Sequence, residues 1–123
     1  MISLFFRAQN DAMSPLLTVV NSVVAWLGTG GSSRNNYAIR YGKVVTLSYN
    51  VYNINLPAQG AYFKVSSDLA PTATRYVSGF FVNSSGSTLV PCVYTVATDG
   101  TITVNYSSSV NATQFTISGA YIV

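Results

Sequence analysis

Asp11, Asp68 and Asp99 are the only side-chain carboxylates in the 123 residues, which hold no histidine, no glutamate and a single cysteine, Cys92. A nucleophilic triad needs an imidazole to take the proton of its serine or cysteine, so Ser-His-Asp and Cys-His arrangements are excluded by composition. The usual zinc sets need histidine or several thiolates and fall on the same ground. A glycosidase needs two carboxylates flanking the scissile bond. Two of the three aspartates would have to converge to supply them, and Asp99 already has a use in a turn (below). No enzyme and no cofactor is therefore expected, and the residue types point to non-covalent recognition. The Asn-x-Ser/Thr matches at Asn83, Asn105 and Asn111 are expected by chance in so Ser-rich a chain.

The surface these residues must form is unusual. Apolar residues make up 49% of the chain and charged residues 7%, against roughly 25% charged in an average soluble domain. A surface so poor in charge and rich in Ser, Thr, Asn and Tyr suits an extracellular protein that hides part of itself in an oligomer. The net charge of +3 comes from six scattered cations, Arg7, Arg34, Arg40, Lys43, Lys64 and Arg75. Without a basic run to track phosphates, nucleic acid is not an expected partner. No apolar run reaches the length of a membrane helix, and a polar outward face on the late strands speaks against insertion as a barrel. Cys92 shares its face with Val90, Tyr94 and Val96, so burial is its expected role. The start, MISLFFRAQNDAMS, lacks the charged opening of a signal peptide. Either the chain is a fragment, or it belongs to a particle released by lysis.

The elements that must position any site read as strands. Residues 37–41 and 43–52 are rich in β-branched and aromatic side chains and meet at Gly42, which predicts a hairpin. Val45, Leu47, Tyr49 and Val51 fall on one face of its second arm and Thr46, Ser48 and Asn50 on the other. Asp99-Gly100 between TVAT and TITV is the strongest hairpin signal in the sequence. Further strands are predicted near 61–65, 75–82, 89–97 and from Phe115 to the end, with Phe115, Ile117, Gly119, Tyr121 and Val123 inward. Pro91 predicts an edge or a bulge in its strand. GTGGSSRNN, residues 28–36, reads as a loop. Residues 14–27 are ambiguous. Ser14-Pro15 and Gly28 would cap a helix, whereas the β-branched residues favour a strand, placed around 22–27. About eight antiparallel strands with regular turn signals give an all-β, jelly-roll-like β-sandwich. Residues 1–21 are expected to be a connecting, neck-like segment and residues 22–123 the head.

The run YAIRYGKVVTLSYNV, the hairpin TVATDGTITV and the terminal strand FTISGAYIV resemble the C-terminal head domains of tailed-phage receptor-binding proteins, the baseplate and tail-tip adhesins. In that family an Arg and a Gly open a long strand with a Trp upstream, matched here by Arg40, Gly42 and Trp26. The resemblance covers about residues 26–123. It implies a homotrimer in the virion, recognition of host cell-wall saccharide, and attachment to other tail or baseplate proteins through the N-terminal side. Lactococcal-type heads use His, Asp, Trp and Arg around their sugar; this chain has no His, and its corresponding hairpin, residues 92–106, offers Tyr and Thr.

A saccharide site needs a flat apolar face for sugar C–H groups and fixed polar groups for hydroxyls. Trp26, Arg34, Asn35 and Tyr37, on and beside the Gly-rich loop, form one candidate set. Arg75, Tyr76, Tyr94, Asp99, Asn105 and Tyr106 form the other. Tyr94 and Tyr106 also lie in phase with core residues, Trp26 could cap the sandwich, and Arg40 could pair across a subunit interface. The alternative function is that of a structural trimeric virion or appendage protein that binds no saccharide.

Overall fold

The apolar-polar alternation after Gly42 produces the longest strand of the molecule. The computed structural model describes residues 19–22, 24–107 and 110–123, with only the backbone at 34 and 35. In it β3 (Ser32–Tyr41) and β4 (Val44–Pro57) form the expected hairpin. Gly42 turns it with φ of 57°, a left-handed conformation that costs glycine little. Val45, Leu47, Tyr49 and Val51 are buried, and Val44 and Thr46 are exposed. The remaining strands are β1 (Val19–Ser22), β2 (Ala25–Trp26), β5 (Gly60–Lys64), β6 (Arg75–Asn83), β7 (Leu89–Val96), β8 (Thr101–Asn105) and β9 (Asn111–Ile122). A 3-10 turn at Ser67–Leu69 interrupts the irregular stretch before β6. Among the described residues there is no α-helix, and none is long and apolar enough to cross a membrane.

All nine strands join in one antiparallel sheet, in the order β1-β3-β4-β9-β6-β7-β8-β5-β2. The two edge strands, β1 and β2, are consecutive in sequence and separated only by residues 23 and 24. Three trans peptide steps span at most about 11 Å, so the two edges must lie close together and the sheet must curl round on itself. The walls face each other across one core as in a sandwich, but they are parts of a continuous sheet rather than two separate ones. β4 and β5 show the consequence. Only two residues separate them, yet β5 pairs with β8 and β2, not with β4. Phe63 of β5 instead meets the Tyr49 ring of β4 edge-on at 5.0 Å.

The seam between the edges is closed by a side chain. Asn36 donates from Nδ2 to the Val24 carbonyl at 3.1 Å and accepts the Val24 N–H at Oδ1 at 3.0 Å. Its carboxamide thus stands in for the strand partner that buried Val24 lacks. The register of β3 on β4 shifts between Arg34 and Tyr37, around Asn36. Here the structure corrects the loop expected at 28–36, because residues 32–36 belong to β3. For the ambiguous stretch, strand prevails over helix as two short pieces, and the sheet begins at Val19. Residues 14–18 and 23 lie outside the described residues.

The later signals behave as read. Gly100, with φ of 89°, turns β7 into β8, and Asp99 Oδ1 accepts the Thr101 N–H at 2.9 Å. Pro91 has β6 on one side only, because β8 covers β7 from Val93 onward. Cys92 is half-buried, and burial pushes its thiol up from the ordinary range.

Burial of tyrosines sets the pH response of this core. The Tyr121 hydroxyl donates to the Leu69 carbonyl at 2.8 Å, and burial pushes its pKa up to about 12; burial also raises Tyr94, Tyr49 and Tyr62. An unfolded tyrosine ionises near 10. The native state therefore holds its protons more tightly, and its stability is complete below pH 10 and lost as pH rises toward 12. With no histidine in the chain, the melting temperature is expected to stay level from pH 5 to 9 and then fall steeply. Melts followed by circular dichroism across pH check this; a fall between pH 6 and 8 would contradict it.

Candidate functional site

The first predicted set is split by the sheet. Trp26 packs its ring among Tyr62, Phe63, Phe115 and Tyr49, at centroid distances of 5.7, 5.2, 6.4 and 6.5 Å. Its indole N–H donates to the Gly30 carbonyl at 2.8 Å. The backbone of the Gly-rich loop lies against this ring, for a Cβ on Gly28 would come within 2.2 Å of it. Trp26 thus closes one end of the core. Tyr37 is exposed on the outer face of β3, opposite Ser48. Arg34 and Asn35 are placed by backbone alone, in β3, with Arg34 opposite Asn50. Arg40 bonds within its own chain, to the carbonyls of Gly42 and Asp68.

The second set is split as well. Tyr94 lies wholly in the core, its hydroxyl donating to the Phe80 carbonyl at 2.8 Å, so of its two readings, ligand contact and core packing, the structure corrects the first in favour of the second. Tyr106 is half-buried with its ring edge-on to Phe81 at 4.8 Å. Arg75 donates from Nε to the Ile122 carbonyl at 2.8 Å. Asp99 is fully exposed at its turn, and the Thr101 hydrogen bonds hold its carboxyl below the usual range. Only Tyr76 and Asn105 are left sharing the outer face. They lie on β6 and β8 in adjacent rows, Tyr76 opposite Thr95 and Asn105 opposite Val93, with β7 between them and so about 12 Å apart.

A better-formed site lies elsewhere, where the β4–β9 ladder is interrupted. Tyr52 pairs with Gln114 and Leu56 with Ala112, so Asn53, Ile54 and Asn55 together oppose Thr113 alone. Such a bulge breaks the ladder and redirects side chains. Asn53 takes φ of 58°, in the left-handed region that asparagine tolerates better than most residues. Asn111 Nδ2 donates to Asn55 Oδ1 at 2.9 Å across the far end of the bulge. Beside it opens a hollow of about 600 Å³ lined by Asn50, Tyr52, Asn53, Ile54, Thr113 and Gln114. Neutral amides, hydroxyls, an aromatic ring and an aliphatic side chain can bind and orient a small polar molecule. Among the described residues no cluster of His, Cys, Asp or Glu could hold a metal ion. The alternation expected through Asn50 held, but none of these six residues was predicted as a site. The missed signal is a break of phase. The buried series Val45, Leu47, Tyr49, Val51 continues at Ile54, and in β9 Ala112 is followed by Phe115.

A second surface stands out by its apolarity. Val19 pairs with Tyr41, Tyr41 with Val44, and Val44 with Ile122. The four side chains form one outer row across β1, β3, β4 and β9, at 47, 59, 45 and 54% exposure. Tyr76, 63% exposed, follows Arg75, which holds the Ile122 carbonyl.

A solved structure with a similar curled sheet is the crystal structure of the receptor binding protein (gp15) of Listeria phage PSA, with a TM-score of 0.60 over 98% of this chain and 76% of that one, at 17% sequence identity. The likeness is one of fold. No protein-family model matches the chain, and no curated protein matches its sequence.

Proposed function

We propose that the chain is the receptor-binding head of a tailed bacteriophage, a homotrimer that adheres to cell-wall saccharide of a bacterial host and performs no chemistry on it. The observation that carries this reading is the fold shared over 98% of the chain with a phage receptor-binding protein. Its place is the virion, at the tail tip or baseplate, with other tail proteins attached on the N-terminal side. The apolar row of Val19, Tyr41, Val44 and Ile122 supports the assembly. A neighbouring copy would cover it.

Light scattering is expected to give about three times the 13.1 kDa chain mass. Labelled protein is expected to bind cells of particular bacterial strains and their extracted wall polysaccharide. With neutral groups in the hollow, that binding is expected to persist in EDTA and through a few-fold rise in salt. Loss with EDTA would assign recognition to a bound cation. The apolar row alone would also suit a structural virion or appendage protein; trimers that ignore every cell and every wall polysaccharide would favour that second reading.

A further inference from the structure

We infer that the hollow beside the β4 bulge binds a sugar ring, held through two adjacent hydroxyls by Asn50 and Gln114. The inference rests on the saccharide-adhesion reading and gives it a location.

The chemistry follows from which hydrogen bonds are already made. Gln114 Nε2 donates to Asn50 Oδ1 at 3.0 Å and to Thr116 Oγ1 at 3.1 Å, and Thr116 Oγ1 donates to Asn50 Oδ1 at 3.1 Å. Both hydrogens of the Gln114 amide are thereby used, as are both lone pairs of the Asn50 oxygen. The three side chains fix one another's orientation across β4 and β9. The network leaves the two N–H donors of Asn50 Nδ2 and the acceptor Gln114 Oε1 without a partner among the described residues. A donor on one of two bonded side chains and an acceptor on the other match a vicinal diol, in which each hydroxyl can give one hydrogen bond and take another. Because the network is set before a ligand arrives, little side-chain ordering remains to oppose binding. Tyr52 and Ile54 line the same hollow and offer apolar surface to the C–H groups of a ring. Asn53 and Thr113 add neutral polar groups at its rim. Among the described residues, no charged side chain lines it.

The test is a titration of isotope-labelled protein followed by the side-chain amide signals of Asn50 and Gln114. The probes are the methyl glycosides of a hexose, a 6-deoxyhexose and an N-acetylhexosamine, with glycerol 1-phosphate as the charged comparison. At least one glycoside is expected to shift both amides. Asn50→Ala and Gln114→Ala are each expected to weaken that titration about tenfold, since each also leaves a neighbour unpaired, while Thr98→Ala in the exposed β7–β8 turn leaves it unchanged. If a variant does not fold, the wild-type shifts decide alone. Shifts confined to other residues, or produced only by glycerol 1-phosphate, would overturn the site while leaving adhesion to cells intact. If no glycoside perturbs the protein and it adheres to no cell or wall polysaccharide, the site and the adhesion reading fall together.

Discussion

Replacing Gly79 by valine is expected to leave no folded protein. Gly79 sits in the middle of β6, hydrogen-bonded into the sheet between Cys92 of β7 and Ile117 of β9. A Cβ at this position would lie 2.2 Å from the Thr116 carbonyl oxygen and 2.5 Å from the Tyr94 ring. The oxygen belongs to the backbone of a central strand and cannot retreat without breaking the ladder. The ring is buried and tied to the Phe80 carbonyl through its hydroxyl. Tyr94 occupies the space that a side chain on residue 79 would need. Overpacking a core commonly costs about 1–3 kcal/mol, and Gly79→Ala, with backbone as the obstacle, is expected to reach the upper end of that range. Valine adds two methyl groups to the same clash, enough to exhaust a stability of about 5–15 kcal/mol in a marginal domain. Circular dichroism and a solubility assay check both variants. A Gly79→Val protein with wild-type melting would show that the β6–β9 register is wrong.

Phe63→Ala is expected to cost about 3–5 kcal/mol, the range for deleting a fully buried aromatic ring. Phe63 is wholly buried. Its ring meets Tyr49 at 5.0 Å, Trp26 at 5.2 Å, Tyr94 at 5.9 Å and Phe115 at 6.2 Å. These partners stand on four different strands of the curled sheet, so the ring links walls that are distant along the strand order. Denaturant unfolding measures the loss. A cost under about 1 kcal/mol would mean that the sheet does not close around this ring.

Most strands were legible because their signals are local. Gly42 and Asp99-Gly100 announce tight reversals, and the spacing of Val45 to Val51 and of Phe115 to Tyr121 assigns the inner face without knowledge of the partner strand. What lay beyond local reading was pairing. Nothing near residue 60 says that β5 will cross the core to join β8 and β2. Ser32, Ser33 and Asn36 have low strand propensity, yet they extend β3 because Tyr52 and Val51 pair with the first two and Val24 takes its missing partner from the third. Gly31 completes that correction. Its φ of 87° and a Cβ position 2.7 Å from the Ile54 side chain show a backbone pressed against the β4 bulge, in a stretch that composition had presented only as a loop.

The candidate site was less legible than the fold. Aromatic and polar side chains can be chosen from a sequence, but which face they take depends on pairing and burial. Trp26 and Tyr94 suited either a ligand or the core, and they are held inside by Phe63 and by the Phe80 carbonyl. Asn50 and Gln114 are 64 positions apart and meet only because β9 inserts beside β4. The phase break after Val51 marked the place, but one strand's irregularity does not reveal what stands across from it.

Adherence to bacteria before and after mild periodate treatment tests the saccharide-adhesion reading most directly. Periodate cleaves vicinal diols, whereas protease removes surface proteins and spares glycans. Fluorescent protein is expected to adhere to a restricted set of strains, to keep adhering after protease, and to lose adherence after periodate. Adherence that periodate spares and protease abolishes would contradict the account, as would adherence to no strain at all.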